Sequence, residues 1–414
     1  MADFPKTEYE SRIKRAQNLM HRDGIDALLL TGEENVAYFS GYRVATIVKS
    51  AAPCLIIPAD DSPRSVLSVG RRGNYEVMSS VDQVHYCVNP ESGFTRELER
   101  LTSLKFSKGR LNTTIEELKS AGLSNKIIGV ELGEGMRMGL CVKEYQGIKS
   151  GLPNATFVDA GNLIWELRMI KSPSEVQYIK KACEVACKGF QIGFNSLREG
   201  MSEREFARAV YKGFLDAGSE DNPLEMCLNI RAGWDRYVMS STRPTDRILK
   251  KGDIIVIDNG GRLYRGYNAD IARAGCVGQP SPKQKELFDI ARQAQEVGIN
   301  RIKAGVPASR VYADVADFIK KAGYERYTLY EGMGHGVGLD MHEPPHFDGS
   351  SDMILKSGMV VSMEPCIYDA PLVQWMLQGI VAPSEGVFFL EDDILVTDGN
   401  PEVLSKLSSD LFIV

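Results

Sequence analysis

The sequence has no long hydrophobic run, no excess of positive charge and no cysteine pair at CxxC spacing. Its longest apolar stretches are strand-sized, far short of the roughly 20 residues that span a bilayer, so we expect no membrane-spanning helix. The 49 Lys and Arg are outnumbered by 55 Asp and Glu, for a net charge of −6, so a nucleic-acid-binding face is not expected. The N-terminal residues lack the apolar core of a signal peptide, and we expect a cytoplasmic protein.

The eight cysteines are scattered along the chain, a distribution that indicates neither a disulfide framework nor a thiolate-rich metal site. The closest pair, Cys183 and Cys187, has the spacing that places both thiols on one face of a helix. We predict that these two are buried structural thiols.

The chain is long enough for two or three domains, and its pattern divides it in two. Residues 1–165 alternate helical stretches with short apolar strands such as IDALLLT and APCLIIP, which predicts an α/β domain. Residues 166–414 form the second predicted domain. Its first helix is expected after Ser172, because Pro173 suits the first helical position and Glu175 completes a capping box.

The second domain contains a weak internal duplication. Each copy is the end of a long helix, a turn and a second amphipathic helix, followed by strand-rich sequence. Two βα halves of this kind predict a pseudo-twofold arrangement with the strands on one sheet and the helices behind it; chance similarity of two helix pairs is the alternative. The recurring glycines are Gly193, Gly200 and Gly218, repeated as Gly298, Gly305 and Gly323.

Three of the five histidines lie within the segment GHGVGLDMHEPPH. His342 and His346 have the spacing of the HExxH motif of zinc proteases, but that motif needs a helix to bring both imidazoles to one face. Pro344 and Pro345 exclude a helix there, so we predict an extended segment instead.

Four carboxylates lie next to apolar strand-like runs. Asp258 ends DIIVID, Asp270 lies in the following strand-like segment, Glu364 follows GMVVSM, and Glu391 follows FFL. Charged groups in such surroundings are costly to bury unless they are paired or bind a cation. Each alone has the simpler interpretation of a solvated strand end, whereas four of them on both halves of a duplication indicate a shared cation site.

Together these segments resemble the creatinase/prolidase/methionine aminopeptidase superfamily, and the N-terminal half and the linker resemble its two-domain members. The resemblance implies an N-terminal creatinase-like α/β domain and a C-terminal pita-bread α/β catalytic domain, commonly in a homodimer. The segments that carry it are GIDALLLTGEENVAYFSGYR, WELRMIKSPSE, DNGGRLYRGYNADIARAG, GMGHGVGLDMHEPP, GMVVSMEPCIY and GVFFLEDDILVT.

The resemblance implies two divalent metal ions, with a water shared between them as the nucleophile. It also implies Glu364 as the proton carrier and His342 as the residue that assists the tetrahedral intermediate, while a plain loop histidine is the alternative for His342. His346 is expected to be structural. Oxygen donors with one imidazole suit Mn²⁺ best, with Co²⁺ or Zn²⁺ as alternatives. The ligands implied by position are Asp258, Asp270, His335, Glu364 and Glu391.

Two departures from the prolidase pattern concern the substrate. Ser241 stands where prolidases carry a histidine that holds the substrate carbonyl, and Ser240 or Thr242 are alternative donors. Phe389 replaces the arginine of GxRxED, so the clamp for a proline carboxylate is absent or relocated. The basic residues close in sequence are Arg231, Arg236 and Arg243.

The leading hypothesis is a dinuclear metallohydrolase of the Xaa-Pro peptidase type that cleaves an amide C–N bond of a dipeptide-like or small substrate. The alternatives are a creatinase-like hydrolase or lyase acting on a non-peptide nitrogenous metabolite, and a non-catalytic binding protein. In two-domain relatives the N-terminal domain helps to cover the active site, which makes Tyr42 and Arg43 candidates for substrate contact. An exposed loop pair is the alternative for these two residues.

Overall fold

The structure is a computed structural model, and contacts within it divide the chain into two compact units, Met1–Arg168 and Met169–Val414. No helix among the described residues is long and apolar enough to cross a membrane. The described residues are 4–43, 53–61, 65–69, 83–88, 97, 100–101, 107–220, 227–233, 243–328, 332–379 and 383–414.

The first unit is an α/β domain built on one mixed sheet of seven strands, in the order β5-β4-β3-β2-β1-β6-β7. The interior strand β1, which lies between β2 and β6, is buried along its whole length, as its run of leucines predicts. The strands are β1 Ala27–Leu30, β2 Cys54–Pro58, β3 Ser65–Val69, β4 Gln83–Val88, β5 Ser107–Lys108, β6 Ile127–Val130 and β7 Thr156–Asp159. The helices are Lys6–Asp23, Glu33–Ser40, Gly109–Ser120, Val142–Gly151 and Gly161–Arg168.

The second unit begins with two helices, Pro173–Ser196 and Glu203–Asp216. The predicted capping box is present, because Ser172 Oγ accepts from the backbone N–H of Glu175 and the Glu175 carboxylate accepts from the N–H of Ser172. Cys183 and Cys187 are both buried in the first of these helices, which confirms them as buried thiols.

A four-stranded sheet follows, in the order β18-β10-β9-β8. Its long hairpin of β9 and β10 turns at Arg265 and Gly266, which have φ values of 52° and 73°. Gly266 meets this left-handed requirement without the steric cost that a side chain brings. The strands are β8 Cys227–Ala232, β9 Ile254–Tyr264, β10 Tyr267–Cys276 and β18 Phe412–Ile413.

The helix pair recurs in the second half as Pro282–Arg301 and Ala308–Lys321. The repeated glycines serve the same purpose in both copies: φ is 82° at Gly200 and 88° at Gly305, each between the two helices of its pair. The first helix of this pair also begins after a serine with a proline at its first position and a capping box.

The second half supplies a five-stranded sheet in the order β12-β11-β13-β16-β17 and a two-stranded sheet of β14 and β15. The prediction of a single sheet is therefore wrong in detail. Among the described residues, a bridge between Ala272 and Glu391 joins β10 to the second half, and beyond it the carboxylate of Asp393 accepts the backbone N–H of Asp270, which ends the ladder. The strands are β11 His335–Gly336, β12 Glu343–His346, β13 Val360–Met363, β14 Ile367–Tyr368, β15 Val387–Phe388, β16 Asp392–Leu395 and β17 Glu402–Val403, and the remaining helices are a 3₁₀ turn, Glu325–Tyr327, and Ala370–Gln378.

Candidate metal centre

Asp258 and Asp270 lie diagonally across the β9–β10 hairpin on the same face of the sheet. The register pairs Asp258 with Ala272 and Asp270 with Gly260, so the two aspartates alternate with two small residues. Gly260 leaves room for the neighbouring side chains, because a Cβ at this position would stand 3.0 Å from the Asp270 carboxylate and would displace the side chain of Met341.

The second half brings three more groups to the same place. His335 lies in β11, Glu364 directly follows β13, and Glu391 makes the bridge to β10 immediately before β16. The Nε2 atom of His335 lies 3.6 Å from Asp270 Oδ2, 3.4 Å from Glu364 Oε1 and 3.9 Å from Glu391 Oε1. Oxygens of Asp258, Asp270 and Glu391 lie within 4.8 Å of one another, so all five residues predicted from position form one cluster.

The orientation of the His335 ring suits a metal ligand. Its Nδ1 lies 3.0 Å from the carbonyl oxygen of Gly336, which favours the tautomer with hydrogen on Nδ1. The Nε2 lone pair then faces the carboxylates, and a backbone partner on the other ring nitrogen is typical of ligating histidines.

The cluster is electrostatically unfavourable without a cation. Burial, only partly offset by Arg231, raises the pKa of Asp258 to about 6. Burial followed by the charges of Asp270 and Glu364 raises the pKa of Glu391 well above its usual range. The side chain of Glu391 is only 2% exposed, and its Oε1 atom has no hydrogen-bond donor among the described residues. The cluster therefore fits divalent cations, because it offers hard oxygen ligands and one imidazole, and one of its oxygens has no hydrogen bond to satisfy it.

The raised pKa values predict that cation binding weakens as the pH falls. In the protein without metal, Asp258 holds a proton up to about pH 6. Burial lowers the pKa of His335, but the hydrogen bond to Glu364 and the charge of Glu364 outweigh it, so this pKa is raised as well. A cation must displace these protons, so we expect its Kd to rise about tenfold per pH unit below pH 6 for each proton released. Calorimetric titration with Mn²⁺ from pH 5 to 8 measures this, and a Kd independent of pH would contradict it.

Residues behind the cluster hold the predicted ligands in place. The Asp393 carboxylate accepts the Asp270 backbone N–H at 3.0 Å, and the Asn229 amide donates to Asp258 Oδ2 at 3.1 Å. Arg273 donates to the Glu391 carbonyl oxygen and pairs with Asp392 at 2.6 Å. These supporting residues were not predicted from the sequence, although the three consecutive acidic residues at 391–393 indicate that more than one carboxylate lies at this place.

His342 lies beside the cluster, with its ring centroid 4.0 Å from that of His335. The His342 residue is exposed to solvent on one side. Partial burial of the ring on the other side, together with the nearby His335, lowers the pKa of His342 to about 4, so its imidazole is neutral at neutral pH. The next residue, Glu343, is buried and pairs with Lys171 at 2.9 Å. This ion pair holds the segment against the residues that precede the helix Pro173–Ser196. The segment is extended, as the prolines predicted, and His346 is exposed in β12.

The predicted substrate residues are distributed differently. Phe389 is buried, and the Cζ atom of Arg231 lies 5.4 Å from its ring centroid. Tyr42 and Arg43 lie in the first unit, where Tyr42 is 5% exposed and therefore not the exposed loop residue of the alternative interpretation. Ser241, with its neighbours Ser240 and Thr242, and Arg236 lie outside the described residues.

Comparison with known proteins places both units in families. Residues 177–398 match metallopeptidase family M24, and residues 12–170 match the creatinase/prolidase N-terminal domain. The chain is 28% identical over 402 residues to a Xaa-Pro dipeptidase of Pyrococcus furiosus, which covers 97% of this chain and 99% of that protein.

Solved structures of prolidases are similar in fold to this chain. A prolidase of Thermococcus sibiricus matches with a TM-score of 0.81 at 25% identity, covering 98% of this chain and 99% of that chain. The prolidase of Pyrococcus horikoshii matches with a TM-score of 0.74 at 26% identity, covering 97% and 99%. The predicted two-domain architecture with a pita-bread second domain is confirmed.

The family match, together with the cation-fitting cluster, also establishes the general chemistry. The protein is a hydrolase of the metallopeptidase class, and the family implies divalent metal ions. More than half of the chain lies within the match to the catalytic domain, and most of the remainder matches the accompanying N-terminal domain. The chain therefore belongs to metallopeptidase family M24.

Proposed function

We propose that the chain is a Xaa-Pro dipeptidase that hydrolyses the amide bond before proline in dipeptides with two divalent metal ions, Mn²⁺ in the first place. The observation that carries the proposal is the position of His335 Nε2, within 4 Å of the carboxylates of Asp270, Glu364 and Glu391. The relatives named Xaa-Pro dipeptidase support the substrate class. We also propose that the chain consists of domains 1–165 and 166–414, that two copies of it form a homodimer, and that it works in the cytoplasm.

The proposed ligands are Asp258, Asp270, His335, Glu364 and Glu391. Asp270, His335 and Glu391 each belong to two of the three-residue groups whose ligand atoms lie within 4.8 Å of one another, so these three residues would link the groups into one site for the ions. The ions, when bound, supply the positive charge that activates a water and polarises the scissile carbonyl.

Glu364 and His342 are proposed to act on the substrate. The Glu364 side chain is 26% exposed, more than those of Asp270 and Glu391, so it can take a proton from the attacking water and pass it to the leaving proline nitrogen. His342 is neutral at neutral pH and open to solvent, so one ring N–H can donate to the oxygen of the tetrahedral intermediate.

Release of proline from Ala-Pro tests the proposal. We expect release by the purified protein loaded with Mn²⁺ and none by the same protein after chelation, because the cluster cannot polarise a carbonyl without cations. Reloading after chelation should restore the rate, which controls for damage by the chelator. Metal-loaded protein that releases no proline would refute the peptidase assignment and favour a non-peptide amide, a class that Ser241 and Phe389 leave open.

A further inference from the structure

Arg231 is a buried cation next to the candidate metal centre. Its position in β8 is two residues from Asn229, which pairs with Asp258 in β9, so both side chains face the cluster. The Nη2 atom of Arg231 lies 3.2 Å from Asp258 Oδ2, and the residue is 6% exposed.

Phe389 supports the guanidinium from the other half of the domain. The Cζ atom of Arg231 lies 5.4 Å from the Phe389 ring centroid, a distance at which a cation is attracted to the ring. Phe389 is itself only 2% exposed, so its ring is buried, and the charged group of this pair is the Arg231 guanidinium. The residue that replaces an arginine in the sequence motif therefore packs against an arginine from a neighbouring strand.

The cluster opens to solvent on the side of Arg231. The side chains of Asp258 and Glu364 are 18% and 26% exposed, whereas those of Asp270 and Glu391 are 5% and 2% exposed. Arg231 therefore contacts one of the two carboxylates at which the cluster is exposed to solvent.

The planar fork of N–H donors in a guanidinium matches the two oxygens of a carboxylate. Asn229 already donates to the same oxygen of Asp258, so orientation of that ligand has a second donor. We propose that Arg231 binds the C-terminal carboxylate of the substrate and so restricts hydrolysis to dipeptides with a free carboxylate. This inference rests on the proposed function, because it takes the cluster as the place of hydrolysis.

The test compares Ala-Pro with its C-terminal amide, which lacks the charge. In the metal-loaded wild-type protein we expect kcat/KM to be about 10- to 150-fold higher for Ala-Pro, the range of a hydrogen bond to a charged group. Arg231→Met should bring the ratio of the kcat/KM values for Ala-Pro and its amide close to one, because only Ala-Pro carries the charge that the guanidinium binds, and Arg231→Lys should lose only part of the preference. Arg204→Met removes a surface arginine that pairs with Asp246 and serves as the matched control with the wild-type ratio.

Two outcomes would overturn the inference: equal kcat/KM for both substrates in the wild-type protein, or an equal loss on both in Arg231→Met, which would assign Arg231 to holding Asp258. Metal content of each variant must be measured, because loss of metal lowers both rates. If neither dipeptide is cleaved, the proposed function fails and calorimetry with N-acetylproline and its amide decides the inference. At least tenfold tighter binding of the carboxylate by wild type than by Arg231→Met is expected, and equal affinities would refute it.

Discussion

Replacing Glu391 with Gln is expected to remove activity and most of the affinity for metal while leaving the fold intact. The substitution preserves the volume of the side chain but removes one of the four carboxylate charges of the cluster. Loss of a residue that only supports a ligand costs 10- to 100-fold in metal affinity, so loss of a direct ligand should cost more than about 100-fold. Metal content after dialysis and proline release from Ala-Pro measure the two effects.

Stability without metal provides the control for this variant. The pKa of Glu391 is raised in the folded protein by burial and by the neighbouring carboxylates, so the folded state binds a proton that the unfolded chain has already lost. Stability of the protein without metal therefore falls as the pH rises above about 4.5, the usual value of a glutamate. Glutamine mimics the protonated form, so at pH 8 the metal-free variant should melt above the metal-free wild type, and at pH 4 the two should melt together.

The matched control is Glu402→Gln, which removes a surface carboxylate that pairs with Lys180. It should retain metal, activity and the melting profile of the wild type. A Glu391→Gln protein that binds metal as tightly as the wild type would show that this carboxylate is not a ligand. A metal-free variant that melts below the wild type at pH 8 would show that the cluster is not strained by its own charges.

Replacing Glu364 with Gln is expected to lower kcat by about 10²- to 10⁴-fold, the contribution of a general acid–base group. Glutamine keeps an oxygen that can face His335 Nε2, now 3.4 Å from Glu364 Oε1, but it cannot accept a proton from water or return one to the leaving nitrogen. Because the loss concerns proton transfer, KM for Ala-Pro should change much less than kcat. The measurement is steady-state kinetics at saturating metal.

The metal content of the Glu364→Gln protein separates its two proposed roles. Retention of metal with a loss of kcat assigns proton transfer to Glu364, and loss of metal with full recovery of kcat at high Mn²⁺ restricts it to a ligand. Glu385→Gln serves as the control, because it makes the same substitution at a carboxylate outside the cluster, one that accepts a hydrogen bond from Ser281, and it should retain both metal and kcat. Unchanged kcat in Glu364→Gln would contradict the proposed mechanism.

The sequence predicted the parts of this protein that depend on local patterns. The capping box at Ser172 and Glu175 follows from residues close together in the chain, because both of its hydrogen bonds form within the first turn of one helix. The extended segment at Pro344 and Pro345 follows from backbone sterics alone. The candidate ligands were accessible for another reason: charged residues beside apolar strands are unexpected unless they bind something, and their motifs resemble a known family.

Contacts that form between distant strands were not predictable in the same way. The position of Arg231 against Phe389 requires the packing of β8 next to a segment from the other half of the domain, and no spacing in the chain encodes that distance. The end of the ladder between the two halves depends on Asp393, which takes a backbone N–H that a strand would otherwise take. The pKa of Asp258 depends on burial and on neighbours far along the chain.

By itself the sequence determined the family, the two-domain architecture and which residues are candidates for the metal centre, because these follow from local backbone preferences and from the order of motifs. The tertiary structure alone decided that His335 lies within 4 Å of three carboxylates, that the cluster opens beside Asp258 and Glu364, and that a buried arginine lies at this opening. The physical reason is that distances, burial and electrostatic coupling arise between elements far apart in the chain, and they exist only after those elements have packed together.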